Sequence, residues 1–421
     1  MGPGILFLPK AFSDGGIVFS SVGLLLVCVA STIGCLALLK CRQEHGGSYA
    51  QLAYGALGWP ARVAVEFSLC TAQSGFCCVY LLFIAHNVRD VARHLLDCKT
   101  LPAYASIVSL VLLQLIVLVP LTWIRRLKRL HITNLLGEAF VLFGLFYIIG
   151  VDVQILTGGA NSTKDLTHPV TVKLFNPNDW GIFLGTAAYA YEGVGLVIPI
   201  YESYRDDLKP QFMCLYASAL VCMCLFITVF AVLTYLAFGD ANLMSIVTLT
   251  LPAPNAFAPV HLVKILYSLA LIFTYPLQLF PVIRITESKV FKKLNRGPVS
   301  LPRKWLKNVF RLFICACTAG VALAGNANFS NLVALIGSFC CVPLAFIYPP
   351  LIAFRTTRLG CCQKGALAVC LVFGLFTTSF CSYRAIATWG GTAEAQESVC
   401  NATGAAGNTS SVGGEFGVGM R

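Results

Sequence analysis

Glu192-Gly193-Val194-Gly195-Leu196-Val197-Ile198-Pro199 sits inside a long apolar run, and Gly2-Pro3-Gly4-Ile5-Leu6-Phe7-Leu8-Pro9 repeats its arrangement near the head of the chain. Each has Gly-x-Gly, a short aliphatic stretch, then Pro. Paired glycines weaken a helix through their backbone entropy, and proline removes a backbone donor, so both segments are expected to unwind. What that unwinding means depends on the solvent around it.

The solvent is lipid. Of the 421 residues, 57% are hydrophobic and only 11% charged, against roughly 25% charged in a soluble domain. So few charges cannot cover a water-facing surface, which excludes ordinary soluble domains, disorder and collagen-like structure. The net charge of +12 is no nucleic-acid groove, because the Lys and Arg residues sit in short clusters between apolar runs. Most of the 19 Cys lie within those runs, as in Phe76-Cys77-Cys78-Val79 and Phe339-Cys340-Cys341-Val342, where they act as small hydrophobes.

Ten apolar runs near the length needed to cross a bilayer are predicted at 15–39, 61–87, 102–124, 132–155, 180–201, 212–238, 259–283, 308–323, 331–353 and 365–388. The stretch 1–12 is too short to cross and carries no basic n-region or cleavage site of a signal peptide, so it reads as half of a broken helix. Placing the loop after the second segment in the cytoplasm puts 21 Lys and Arg on that side and eight on the other. The Asn-x-Ser/Thr sequons at Asn161, Asn328, Asn401 and Asn408 all fall on the basic-poor side, where glycosylation occurs. Cys98 and Cys400, on that same side, are candidates for a disulfide. Cys361 and Cys362 are candidates for acylation, and the basic loop 289–311 for contact with anionic lipid.

Unwound backbone at membrane depth is tolerated only where it is buried in protein or lines a polar cavity. The bland reading of each glycine pair is close helix packing. Two matched interruptions five spans apart favour a binding site of the inverted-repeat transporter kind. Free N–H groups at a half-helix N-terminus receive an anionic group, and free carbonyls at a half-helix C-terminus receive an ammonium. An amino-acid zwitterion carries both.

The stretches GPGILFLPKAF (2–12), FNPNDWGIFLGTAAYAYEGVGLVIPIYES (175–203), YPLQLFPVIRI (275–285) and ALIGSFCCVPLAFIYPP (334–350) resemble the amino acid/auxin permease family. Within it the chain is most similar to fungal vacuolar amino-acid exporters and animal proton-coupled amino-acid transporters. The resemblance implies an all-α polytopic membrane protein of the leucine-transporter type: a 5+5 inverted repeat plus an eleventh helix. The repeats would occupy 1–156 and 179–355, separated by a lumenal loop at 157–178. The eleventh helix would span 364–389, and a lumenal or extracellular tail would fill 390–421. The family's further half-helix ahead of the first Gly-x-Gly is missing from this sequence, which starts at the binding loop itself.

Site residues follow. Gly2, Gly4 and Ile5 would offer N–H groups to a substrate carboxylate. Tyr189, Tyr191, Gly193 and Gly195 would line the opposite side, with the carbonyls of 189–192 taking the ammonium. Gln73 and Tyr80, seven apart, share a helical face that could look into the site, as the resemblance of QSGFCCVY (73–80) also implies. Glu192 is an ionisable group in mid-membrane, which costs roughly 2.5 kcal/mol or more unless it serves a purpose. It would carry a coupling proton or anchor the loose N–H groups of the broken helix. Thr274 stands where sodium-coupled relatives place a cation-coordinating hydroxyl, although a proton is the expected coupling ion. Glu66, Glu138 and Asp152 lie nearer span ends, where an exposed or paired carboxylate is cheap.

The expected function is therefore proton-coupled secondary transport of small neutral amino acids by alternating access, across a vacuolar or lysosomal membrane, with the plasma membrane as the alternative. The rival is an amino-acid sensor or inactive paralogue that binds without net transport. An enzyme is not expected: the six His are scattered, no HExxH-type pairing exists, and no metal or cofactor is implied. The partners are an amino acid, a proton and the bilayer.

Overall fold

The computed structural model describes residues 3–96, 105–124, 131–158, 169–252, 258–291 and 301–390, with no strand among them. A 3-10 turn, Pro3–Phe7, leads into α1 (Leu8–Gly15), and Gly16 at φ 80° turns the chain into α2 (Ile17–His45). The short α3 (Tyr49–Leu57) opens with a capping box of Ser48 and Gln51. Then come α4 (Trp59–Leu95), α5 (Ile107–Thr122) and α6 (His131–Leu156). A second series follows: α7 (Trp180–Ala190), α8 (Val194–Ser203), α9 (Phe212–Asn242), α10 (Val247–Thr250) and α11 (Pro259–Val290). The last are α12 (Leu301–Gly325), α13 (Phe329–Ile336), α14 (Tyr348–Thr356) and α15 (Cys361–Ala387).

Among the described residues, eight helical stretches are long and apolar enough to cross a membrane. The expected spans 308–323 and 331–353 fall in one of them, Pro302–Thr356. Its helical geometry is interrupted at Asn328 (φ −131°, ψ 54°); both arms touch α4, but α12 also packs on α5 while α13 packs on α7 and α15. The expected span 102–124 narrows to the 16-residue α5. Helix α4, at 37 residues, outruns its expected 61–87 at both ends.

Apolar side chains form the outside as well as the inside. Val18, Val22, Leu25, Leu26 and Val29 on α2 are exposed, as are Leu112, Leu113 and Ile116 on α5. In water such a surface would drive association; against lipid tails it is the matched one. Helices α4 and α11 pack together at the centre and are pinned near both ends. Glu66 accepts from Arg62 at 2.9 Å and Lys289 at 2.6 Å, and Lys264 reaches Asp90 at 2.5 Å while only 1% exposed. Removing one partner of such a pair strands a charge away from water.

Helix α7 lies against the segment after α13, where the α-helix gives way to i→i+5 turns at Gly337–Cys341 and Pro343–Ile347. A Cβ on Gly337 would stand 1.9 Å from the Gly185 carbonyl oxygen. Small residues permit such backbone approach in membranes. We expect Gly337→Ala to cost about 1–3 kcal/mol through overpacking, read as a lowered apparent melting temperature in detergent. An unchanged melting temperature would mean that α7 and this segment separate freely.

Candidate functional site

The second Gly-x-Gly segment is a true interruption. Helix α7 stops at Ala190 and α8 resumes at Val194, with Gly193 at φ −158° and ψ −2° between them. The Tyr191 N–H still reaches the Ala187 carbonyl at 3.1 Å, but the Glu192 N–H meets Tyr189 only at 3.4 Å. The first N–H groups of a helix lack intrahelical acceptors. Here the Gly195 N–H donates to the Glu192 carboxylate at 3.4 Å.

The first segment is wound as the 3-10 turn and lies directly on the end of α7. A Cβ on Gly4 would come within 2.9 Å of the Ala190 Cα, so at this point one backbone touches the other. Ile5 is buried beside it, and Gly2 lies outside the described residues. The first stretch thus touches the end of α7, two residues before the second Gly-x-Gly stretch begins at Glu192.

Several expected side chains gather at this junction. Gln73, 1% exposed, has its Nε2 3.8 Å from the Cβ position of Gly195, and a Glu192 carboxylate oxygen lies 3.5 Å from that same position. Tyr189 stacks edge-on to Phe76 at 4.6 Å, and Tyr80 is buried near it. The Tyr189 hydroxyl is buried without a hydrogen-bond partner. Leaving such a group unsatisfied costs about 1–3 kcal/mol, and a bound polar ligand would remove that cost. Tyr191 sits against the thiols of Cys28 and Cys224.

Other expectations are placed elsewhere. The Thr274 hydroxyl donates back to the Ala270 carbonyl at 2.8 Å on its own helix. Glu66 is the paired carboxylate described above. Asp152 departs from the expectation of a cheap span-end carboxylate, being fully buried with one oxygen unpartnered. Asn328 is 8% exposed and its side-chain oxygen accepts from the Gly390 N–H at 3.0 Å, so a glycan there requires that contact to open. Asn161, Asn401, Asn408, Cys98 and Cys400 lie outside the described residues.

Sequence reasoning missed three features. Tyr216 of α9 approaches Gly193, its hydroxyl 3.9 Å from the Cβ position there, and bonds the Cys35 thiol at 3.5 Å. Phe7 closes the junction on one side, packed on Phe329 at 5.3 Å, Tyr189 at 6.0 Å and Phe83 at 6.2 Å. Beyond Phe7 lies a cavity of about 10 Å³ lined by Lys10, Asp14, Ser245 and Ser330, room for about one water. The third is the pair of i→i+5 turns, a form often found at functional sites. Pro343 was a visible signal for it; the aromatic plug and Tyr216 had none.

A multi-pass helical bundle with a helix broken in mid-span, pressed on a second loosely wound segment, has the form of a membrane carrier. The model of the family "Transmembrane amino acid transporter protein" matches residues 1–387, and the chain belongs to that family, one of transporters and not of enzymes. It is 33% identical over 397 residues to vacuolar amino acid transporter 3 of Saccharomyces cerevisiae, covering 92% of this chain and 55% of that protein. Vacuolar amino acid transporter 3 of Schizosaccharomyces pombe is 31% identical, covering 91% and 56%. Amino acid transporter ANT1 of Arabidopsis thaliana is 26% identical, covering 86% and 82%. The chain spans about half the length of the fungal relatives it matches.

Proposed function

We propose that the chain is a proton-coupled carrier of small neutral amino acids that works by alternating access in a vacuolar or lysosomal membrane. The observation that carries the proposal is the contact of Gly4 with Ala190 beside the broken turn 191–193. The substrate carboxylate takes the N–H groups of Gly4 and Ile5. Its ammonium takes the carbonyls at the C-terminal end of α7, where the helix dipole is negative. The walls are Leu69, Phe7, Phe76 and tyrosines, which favour a small, neutral side chain. Glu192, whose carboxylate accepts from the Gly195 N–H, carries the proton. The compartment is supported by the printed names of the fungal relatives.

A 5+5 inverted repeat is supported by which helices touch. Helix α1 packs on α7, α2 on α9, α4 on α11 and α5 on α12. Each pair would be equivalent elements of two repeats, and a two-fold axis in the membrane plane brings such mates together. Counterflow in liposomes tests the function. Labelled neutral amino acid should exchange with unlabelled substrate trapped inside. Binding of the amino acid without exchange would instead make the protein a sensor.

A further inference from the structure

Asp152 lies four residues from the end of α6, with no exposed surface. Its Oδ2 is 2.6 Å from the Thr234 hydroxyl of α9, and its Oδ1 is buried without a partner. The same hydroxyl oxygen is 3.0 Å from the Phe230 carbonyl, one turn back on α9. A hydroxyl has one hydrogen and a carbonyl can only accept. If Thr234 donates to Phe230, the usual bond of a threonine within a helix, the 2.6 Å contact has no hydrogen unless Asp152 supplies it. If Thr234 turns to Asp152 instead, a buried carboxylate is held by a single donor, which does little to offset its loss of hydration.

The surrounding groups offer no counter-charge. On α9, Tyr235 bonds Asp240 at 3.0 Å, and Asp240 is paired with Lys173 at 2.5 Å. On α11, Lys264 is paired with Asp90, the Tyr267 hydroxyl donates to the Val141 carbonyl at 2.9 Å, and His261 stacks near His94. On α6 itself, Tyr147 and Glu138 lie more than one turn away. None of these forms an ion pair with Asp152.

We propose that Asp152 and Thr234 form a proton-binding site between α6 and α9, separate from Glu192, in which Asp152 stands as a neutral acid at neutral pH. The chain of donors then runs from the Asp152 carboxyl to the Thr234 hydroxyl to the Phe230 carbonyl, and every hydrogen is used. Loss of the proton leaves an unbalanced charge between two helices, which makes this contact a pH-sensitive joint in the bundle.

The test is infrared spectroscopy of the full chain in phospholipid vesicles at neutral pH, which reads the proton whether or not amino acids are moved. In difference spectra against the wild type, Asp152→Asn should remove a protonated-carboxyl stretch that Glu192→Gln leaves in place. The asparagine amide can still donate to Thr234, so the variant should fold. Thr234→Val, which removes the acceptor, should shift the band, and Thr234→Ser should restore it. The proposal is overturned if Asp152→Asn removes the bands of an ionised carboxylate instead, or if Thr234→Val leaves the acid band where it was.

Discussion

Glu192→Gln is expected to leave amino-acid exchange running while flattening its dependence on pH. Glutamine keeps the size of the side chain and a carbonyl oxygen able to accept from the Gly195 N–H, so the broken turn should hold. What it cannot do is take up and release a proton. Wild-type accumulation should rise as the substrate-donating side is acidified, and the variant should show a level profile with exchange in both directions. Liposomes carrying an imposed pH gradient and labelled substrate make the measurement. A variant that still concentrates substrate against its gradient, driven by protons, would remove Glu192 as the coupling group and leave it the anchoring role alone.

The second large effect is expected at Gly4. A side chain there meets the backbone of α7, 2.9 Å from the Ala190 Cα, rather than the movable end of another side chain. The turn cannot retreat, because Ile5 and Leu6 behind it are packed in the core at 2% and 0% exposure. Gly4→Val should therefore separate the two segments that make the site, cost about 1–3 kcal/mol in stability and reduce exchange by about 100-fold, the scale of a 1 Å misplacement in a positioned site. Gly193→Ala is the control. Only the Tyr216 hydroxyl lies near its Cβ position, at 3.9 Å, so an added methyl meets no backbone of another segment. Equal loss in the two variants would show that steric approach at Gly4 is not what holds the site together.

The contrast between these glycines shows where sequence reading stops. Gly4 and Gly193 occupy the same kind of motif, and both mark a weakened helix, because backbone entropy and the missing proline donor are properties of the segment itself. The spans were legible for a similar reason: lipid asks only for length and apolarity, and the runs at 180–201 and 212–238 carry both. Which glycine is pressed against another backbone depends on a partner far along the chain. The same holds for Phe7 with Phe329, for Gly337 with Gly185, and for Asp152 with Thr234, 82 residues apart. Periodicity cannot announce such meetings. Thr274 was marked by a family pattern alone, and its hydroxyl hydrogen goes to the Ala270 carbonyl of its own helix, a bond any helical threonine can make.

The account stands on a single idea, that the peptide groups of the 3-10 turn and of the broken α7–α8 turn receive the opposite charges of one small molecule. Competition in the counterflow assay tests it most directly, using a neutral amino acid, its decarboxylated amine and the corresponding acid without an amino group. The account predicts that the intact zwitterion competes with labelled substrate and that neither single-charge analogue does. Equal competition by either analogue would contradict it.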